Sequence, residues 1–505
     1  MKQRAPLTLA AVTAALAAVT GIASLTAPAA PAADGKKTAA ARMPVERSTL
    51  VCPAPSSSDI ADTAYTSYTP GAAPGAKADV KADAKGTGKG AARLTGATKE
   101  AKAVLEPKEP GKPVGATSSG SEAPALTGTA EGALAPGWTV QQTTKVAVGR
   151  ARGVLGTACG VPGTDFWFPA VGTSKGREDY VHLTNPDDTA AEVDVKLFGP
   201  EGPVKAEPGR DRITIAPKSS QRLLLSTLAP DTQLADVTAH VTTRSGRVGA
   251  SVQVAEDGVG TDWLAPSTDP AGSLVLPGIP SDATSVRLVA FAPGEEDADL
   301  SIRLAGPGGS LSPAGSEALH LKAGMTASVD LKDVTRGEAG SLLLAPTDAK
   351  KAVPVVAALR VVRGSGAKQE LGFIPASGPV GARATVADNR TGENATVLYV
   401  TAPGKDDAKV RVTASPGTEG GEPESKEIQV KAGTTLAVSP PPAPSGGKGS
   451  YALTLETLSG GPVHASRTLT LPHEGIPMFT VQPFTDDRST VLVPKAVQDL
   501  SVPTE

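Results

Sequence analysis

The chain has 505 residues and a formal net charge of −3, a length that suits three or four ordinary domains and a balance that gives no bulk electrostatic attraction to nucleic acid. Aromatic residues are only 3% of the total, whereas Gly (55) and Pro (45) are abundant. Such a chain builds its cores from Val, Leu, Ile and Ala and turns often.

The first residues, MKQRAPLTLAAVTAALAAVTGIASLTAPAAPAADG, place Lys2 and Arg4 before an uncharged run that ends in small residues. This pattern predicts a secretory signal over 1–33 with Ala-x-Ala cleavage after Ala29 or Ala32, or a retained N-terminal anchor. The run is rich in Ala and Thr rather than Leu or Ile, so its drive into a bilayer is weak, and no later stretch is apolar for long enough to span one. Membrane contact is therefore expected only through this segment, if it is not cleaved.

Cys52 and Cys159 are the two cysteines. In an exported chain they predict one structural disulfide, which by closing a loop of roughly a hundred residues stabilises the fold by about 4–5 kcal/mol in the chain-entropy view. The flanking residues predict a first β module over 47–165. Inside it, Lys77 to Lys112 carries eight Lys and one Arg against five acids, with almost no large apolar side chain. Residues 71–131 are therefore expected to form a disordered insertion, too poor in burial to offset their ordering entropy.

Beyond this the chain repeats. NPDDTAAEVDVKLFG, APGEEDADLSIRLAG and APGKDDAKVRVTASP place Pro186, Pro293 and Pro403 in step. Each turn leads into period-two alternation, as in Val193, Val195 and Leu197, which marks a half-buried strand. Ile215, Leu321 and Val430 keep the same register, as do Val248, Val355 and Val463. The aromatics Trp167, Trp263, Phe373 and Phe479 are read as closing successive units, as core or inter-module plugs rather than a sugar-stacking platform. The units are modules over 166–266, 267–375 and 376–484, followed by a closing strand and tail, 485–505. About seven short strands per unit predict an all-β protein of tandem immunoglobulin-like β-sandwiches, with a closed β-propeller-like repeat as the alternative.

Motifs for chemistry are weak. The acidic turns lack the ligand spacing of a calcium loop, and His182, His240, His320, His464 and His473 lack the spacing of a zinc set. Gly172-Thr-Ser174-Lys-Gly176 formally matches G-x-S-x-G, but YVHLTNP follows as a strand where a nucleophile elbow needs a helix. GTGKG at Gly86 lacks the Ser or Thr of a phosphate loop. No catalytic residue, cofactor site or metal site is assigned, and no cofactor is expected.

With LVCPAP, TACGVPGTDFWFP and REDYVHLTNPDDTAAEVDVKLFG assembled, the chain resembles a family of uncharacterised exported proteins of high-GC Gram-positive bacteria, known only as a domain of unknown function. The resemblance implies export and an envelope setting, with no activity attached. The expectation is a non-catalytic secreted or cell-envelope protein, a scaffold or binding surface for wall glycan or a membrane-associated envelope protein, with no nucleic-acid partner. A secreted enzyme with a site assembled between modules is the alternative.

Overall fold

A computed structural model describes residues 41–71, 90–98, 101–209 and 212–494. The expected signal segment 1–33, the GTGKG stretch up to Lys89 and the tail from 495 lie outside them. The described residues fall in two compact units, one within 44–490 and a smaller one that includes 41–43 and 491–494. Ala41–Pro44 and Thr490–Val493 pair as a two-stranded sheet. Of the closing strand and tail expected over 485–505, Thr490–Val493 pairs with Ala41–Pro44, and Asp486 bridges Ala384 of the fourth module.

Residues 44–490 contain eight further sheets, two for each of four modules, and no α-helix among the described residues. The second module shows the plan. One sheet runs Asp165–Val171, Val237–Ser245, Ala191–Gly199, Gly202–Val204, with Arg212–Ile215 also paired to Ala191–Gly199. The other runs Ser219–Leu224, Arg177–Asn185, Gly249–Glu256, Gly260–Leu264. Alternation drives this layering: Val193, Val195 and Leu197 are buried between the sheets while Glu192 and Lys196 face out. Asp194, on the outer face, is nevertheless buried, covered in part by Arg244, with which it pairs at 2.6 Å.

The same order recurs from Leu274 to Pro375 and from Arg383 to Phe484, and in the first module from Arg47 to Ala158. Cys52, in the first strand of that module, is bonded to Cys159, one residue past its last strand. The expected disorder of 71–131 is overturned for residues 90–98 and 101–131. Ala91–Gly96, Ala103–Leu105, Val114–Ser119 and Leu126–Glu131 are strands of the first sandwich. Their small side chains suffice because Trp138 and Tyr65 supply the volume, packing with Leu94, Leu105 and Leu126 in one core. Gly128 must be small for the same reason, since a Cβ there would lie 2.5 Å from the Trp138 ring.

The modules are arranged in a cycle. Their last strands, Gly153–Ala158, Gly260–Leu264, Glu370–Pro375 and Phe479–Phe484, touch in succession, and the fourth touches the first. Each first strand also packs on the penultimate strand of the next module, ending with Arg383–Asn389 on Thr139–Val146. Polar contacts cross every boundary. Arg150 meets Asp257 at 2.8 Å, Arg360 grips Glu256 at 2.7 and 2.9 Å, Ser341 meets Thr401 at 2.7 Å, and Thr66 meets Ser450 at 2.8 Å. The sheets remain paired as sandwiches and no barrel closes; closure is between the sandwiches themselves.

Candidate functional site: the four-strand junction and the open edge of the second module

Where the four last strands meet, the chain buries acids. Asp262 is 0% exposed, and its carboxylate accepts the Thr480 hydroxyl at 3.0 and 3.2 Å and the Gly156 N–H at 3.3 Å. Gln482 donates its amide to the Thr480 oxygen at 3.3 Å. Glu370 is likewise 0% exposed, and neither of its oxygens has a hydrogen bond of ordinary geometry. Its nearest cation, Arg152, stands 3.8 Å away at Nε, because the guanidinium donates to the carbonyls of Val259 and Gln369 at 2.6 Å each. All four modules contribute to this set.

Burial raises both acids, since a charged carboxylate loses its hydration there. Glu370 is pushed up to about 8 against the opposing pull of Arg152 and Arg363. Asp262 is raised well above the usual carboxylate range by burial, with its hydrogen bonds opposing and the Glu370 charge adding. Such groups hold protons near neutrality, but nothing can approach them: a Cβ at Gly156 would already collide with Gln482 and Thr480.

The expected aromatic plugs are built into the same strands. Trp263 packs on Ala61, Val146 and Leu155 of the first module and meets His182 edge-on at 4.9 Å. Phe373 joins the core of the second module, and Phe479 joins the core of the third. By strand register Gly156, Trp263, Phe373 and Val481 are equivalent, each paired through its neighbours to the residue six before the turn proline. Phe479 lies two residues earlier, on the same face.

Trp167 requires a correction. It does not close a unit: it sits in Asp165–Val171, the first strand of the second sandwich. TDFWFP resembles TDWLAP locally, but its Phe-Trp-Phe-Pro matches Leu-Val-Leu-Pro at 274–277. Both faces of the indole are covered, by His240 at 3.5 Å and Phe291 at 5.4 Å, so no sugar can stack on it.

The acidic turns are corners. Asp297 accepts the Ala323 N–H and Asp407 accepts the Ala432 N–H, each at 2.8 Å, tying the turn to a later hairpin. In the second module Asn185 does this work, donating to Ile215 and Ala216. Among the described residues no cluster of three or more His, Cys, Asp or Glu is placed to hold a metal ion. After Ser174 the chain turns directly into Arg177–Asn185, so no strand-to-helix elbow forms.

Sequence reasoning missed Gly156, Asp262, Glu370 and Thr480, whose partners lie in other modules. The available signal was an acid, Asp262, inside the strand GTDWL, where the third and fourth modules carry Gly372 and Thr480.

Two open concavities lie on the second module. One, about 310 Å³, opens between Arg212–Ile215 and Ser219–Leu224 and is lined by Arg212, Ile213, Thr214, Gln221, Leu223 and Thr227. The other, about 330 Å³, is apolar, with Leu197, Phe198, Val204 and Leu228 among its lining. Register places Ala318 and Glu427 where the second module has Arg212, and Ala327 and Leu436 where it has Gln221. Neither Arg212 nor Gln221 thus recurs in the third or fourth module.

A family of unknown function, DUF5719, has a model that matches residues 114–441. The chain belongs to that family. The match begins at the fifth strand of the first sandwich and ends within the fourth, so the family unit takes in strands of all four modules. No curated protein matches the chain.

Proposed function

We propose that this DUF5719 protein is a non-catalytic, exported cell-envelope protein whose fused β-sandwiches form a rigid scaffold, presenting the open edge of the second module to wall glycan or to an envelope partner. The observation that carries this reading is the separation of accessible from reactive groups. The two cavities are of ligand size and are lined by apolar residues, hydroxyls, an amide and the cations Arg212 and Lys196, with no nucleophile beside a base. The paired carboxyls that an inter-module active site would use are sealed from solvent.

Export is supported by the charged-then-apolar opening of the sequence and by the disulfide, which persists in oxidising compartments. No helix among the described residues is long and apolar enough to cross a membrane.

The test is co-sedimentation of residues 34–505 with purified cell wall from a high-GC Gram-positive organism across a salt series. Saturable binding that survives salt, and that weakens in the Arg212→Ala, Gln221→Ala double variant, is the expected result. Absence of salt-resistant binding overturns the wall-glycan reading.

A further inference from the structure

The two carboxyl groups at the four-strand junction are enclosed by polypeptide from every module. Asp262 is covered by Gly156, Thr480 and Gln482. Glu370 lies against Gly153 and Gly260, and a Cβ at either glycine would press on its Oε1. The neighbouring strands Gly153–Ala158 and Phe479–Phe484 contain no ionisable side chain. The charged groups that face the pair are therefore each other, with Arg152 and Arg363 beside Glu370. Arg363 is itself held by Asp282 at 2.6 Å, and Arg152 by three backbone carbonyls, those of Val259, Ala367 and Gln369. Neither cation makes a hydrogen bond to Glu370.

We propose that this junction is a proton-linked latch on the cycle of modules, closed while Asp262 and Glu370 carry their protons and loosened when rising pH ionises them. On ionisation the protons pass to solvent and two negative charges remain in a dry site, a burden that separation of the strands relieves by admitting water. The same four strands carry Trp263, Phe373 and Phe479 into neighbouring cores, so loosening here uncouples the modules from one another before the sandwiches themselves are affected. The sign follows from linkage. Both acids hold their protons more tightly in the closed protein than in the unfolded chain, so their contribution is full below the ordinary carboxyl range. It is lost as pH rises from there through the folded value, about 8 for Glu370. The latch does not depend on what the second module binds.

The test is hydrogen exchange by mass spectrometry on the whole chain at about pH 6 and about pH 9, corrected for the intrinsic pH dependence of exchange. The expected result is a selective loss of protection at high pH in residues 153–158, 260–264, 370–375 and 479–484, while the inner strand 191–199 stays protected. Glu370→Gln and Asp262→Asn are each expected to reduce that difference. Protection in these strands that does not change with pH, or changes equally in wild type and both variants, overturns the proposal. Carboxyl 13C NMR of the wild-type chain, with the Glu370 signal assigned by its loss in Glu370→Gln, gives an independent readout should Asp262→Asn fail to fold. Titration of that signal near 8 supports the latch, and titration in the ordinary carboxyl range overturns it.

Discussion

Thr480, on the last strand of the fourth module, donates its hydroxyl to both carboxylate oxygens of Asp262, on the last strand of the second, at 3.0 and 3.2 Å. The two residues are 218 positions apart in sequence. Their contact exists only because the intervening modules turn the chain through a cycle, and it anchors the expectations that follow.

Gly156 occupies the register position of Trp263 and Phe373 but faces Gln482 and Thr480, where a Cβ has no room. Gly156→Ala is expected to destabilise the protein by roughly 1–3 kcal/mol, as overpacking of a close-packed site does. Gly294→Ala, where nothing lies within 4 Å, is the control. Urea unfolding of the two variants measures the difference, and equal midpoints would remove the close approach from the account.

Phe479 is fully buried among residues of the third module. Phe479→Ala deletes a ring from an inter-module core and is expected to cost about 3–5 kcal/mol. A loss below about 1 kcal/mol in thermal or urea unfolding would mean that the fourth module does not seat there.

These interior arrangements were unevenly legible. Val193, Val195 and Leu197, and their counterparts at 300–304 and 410–414, announced strands and a repeat because alternation is a local property. Cys52 and Cys159 announced their bond because only one pairing was available. The strands between 91 and 131 misled because they are mostly Ala, Thr, Gly and Ser, and the bulk that packs them comes from elsewhere, Tyr65 on Ala61–Tyr68 and Trp138 just before Thr139–Val146. Trp167 misled because TDFWFP mimics TDWLAP over six residues, whereas its strand pairs as a module's first. The acids at the junction could not be placed from a linear pattern, since Asp262, Glu370 and Thr480 meet only when four strands converge.

The disulfide between Cys52 and Cys159 spans a separation of 107 residues. Its removal in a Cys52→Ala, Cys159→Ala variant is expected to lower stability by roughly 4–5 kcal/mol, the entropy restored to an unfolded loop of that length. The loss is measured against wild type by denaturant unfolding, and a difference under about 1 kcal/mol would contradict a stapling role.

Two buried histidines set an acid limb. Burial, aided by the Arg222 charge, drives His182 down to about 3. Burial also drives His464 to about 4, although its Nδ1 lies 3.0 Å from the Ser377 carbonyl. A depressed histidine contributes stability that is present above its unfolded value near 6.5 and is lost as pH falls toward the folded one. Over about pH 6.5 to about pH 4 the histidines therefore lower the melting temperature as pH falls, against the opposite trend of Asp262 and Glu370, and His464→Asn is expected to remove part of that acid loss relative to wild type. An unchanged slope in that variant would exclude His464 as a contributor.

The first and fourth modules meet, closing the cycle. Thr66 and Ser450 approach to 2.8 Å between hydroxyl oxygens across that boundary. Thr66→Cys, Ser450→Cys in one chain, expressed under oxidising conditions and read by peptide mass mapping on the monomer, tests it most directly. The closed cycle predicts an intramolecular 66–450 disulfide alongside the 52–159 bond. Free thiols at 66 and 450, or linkage only between separate chains, would contradict closure.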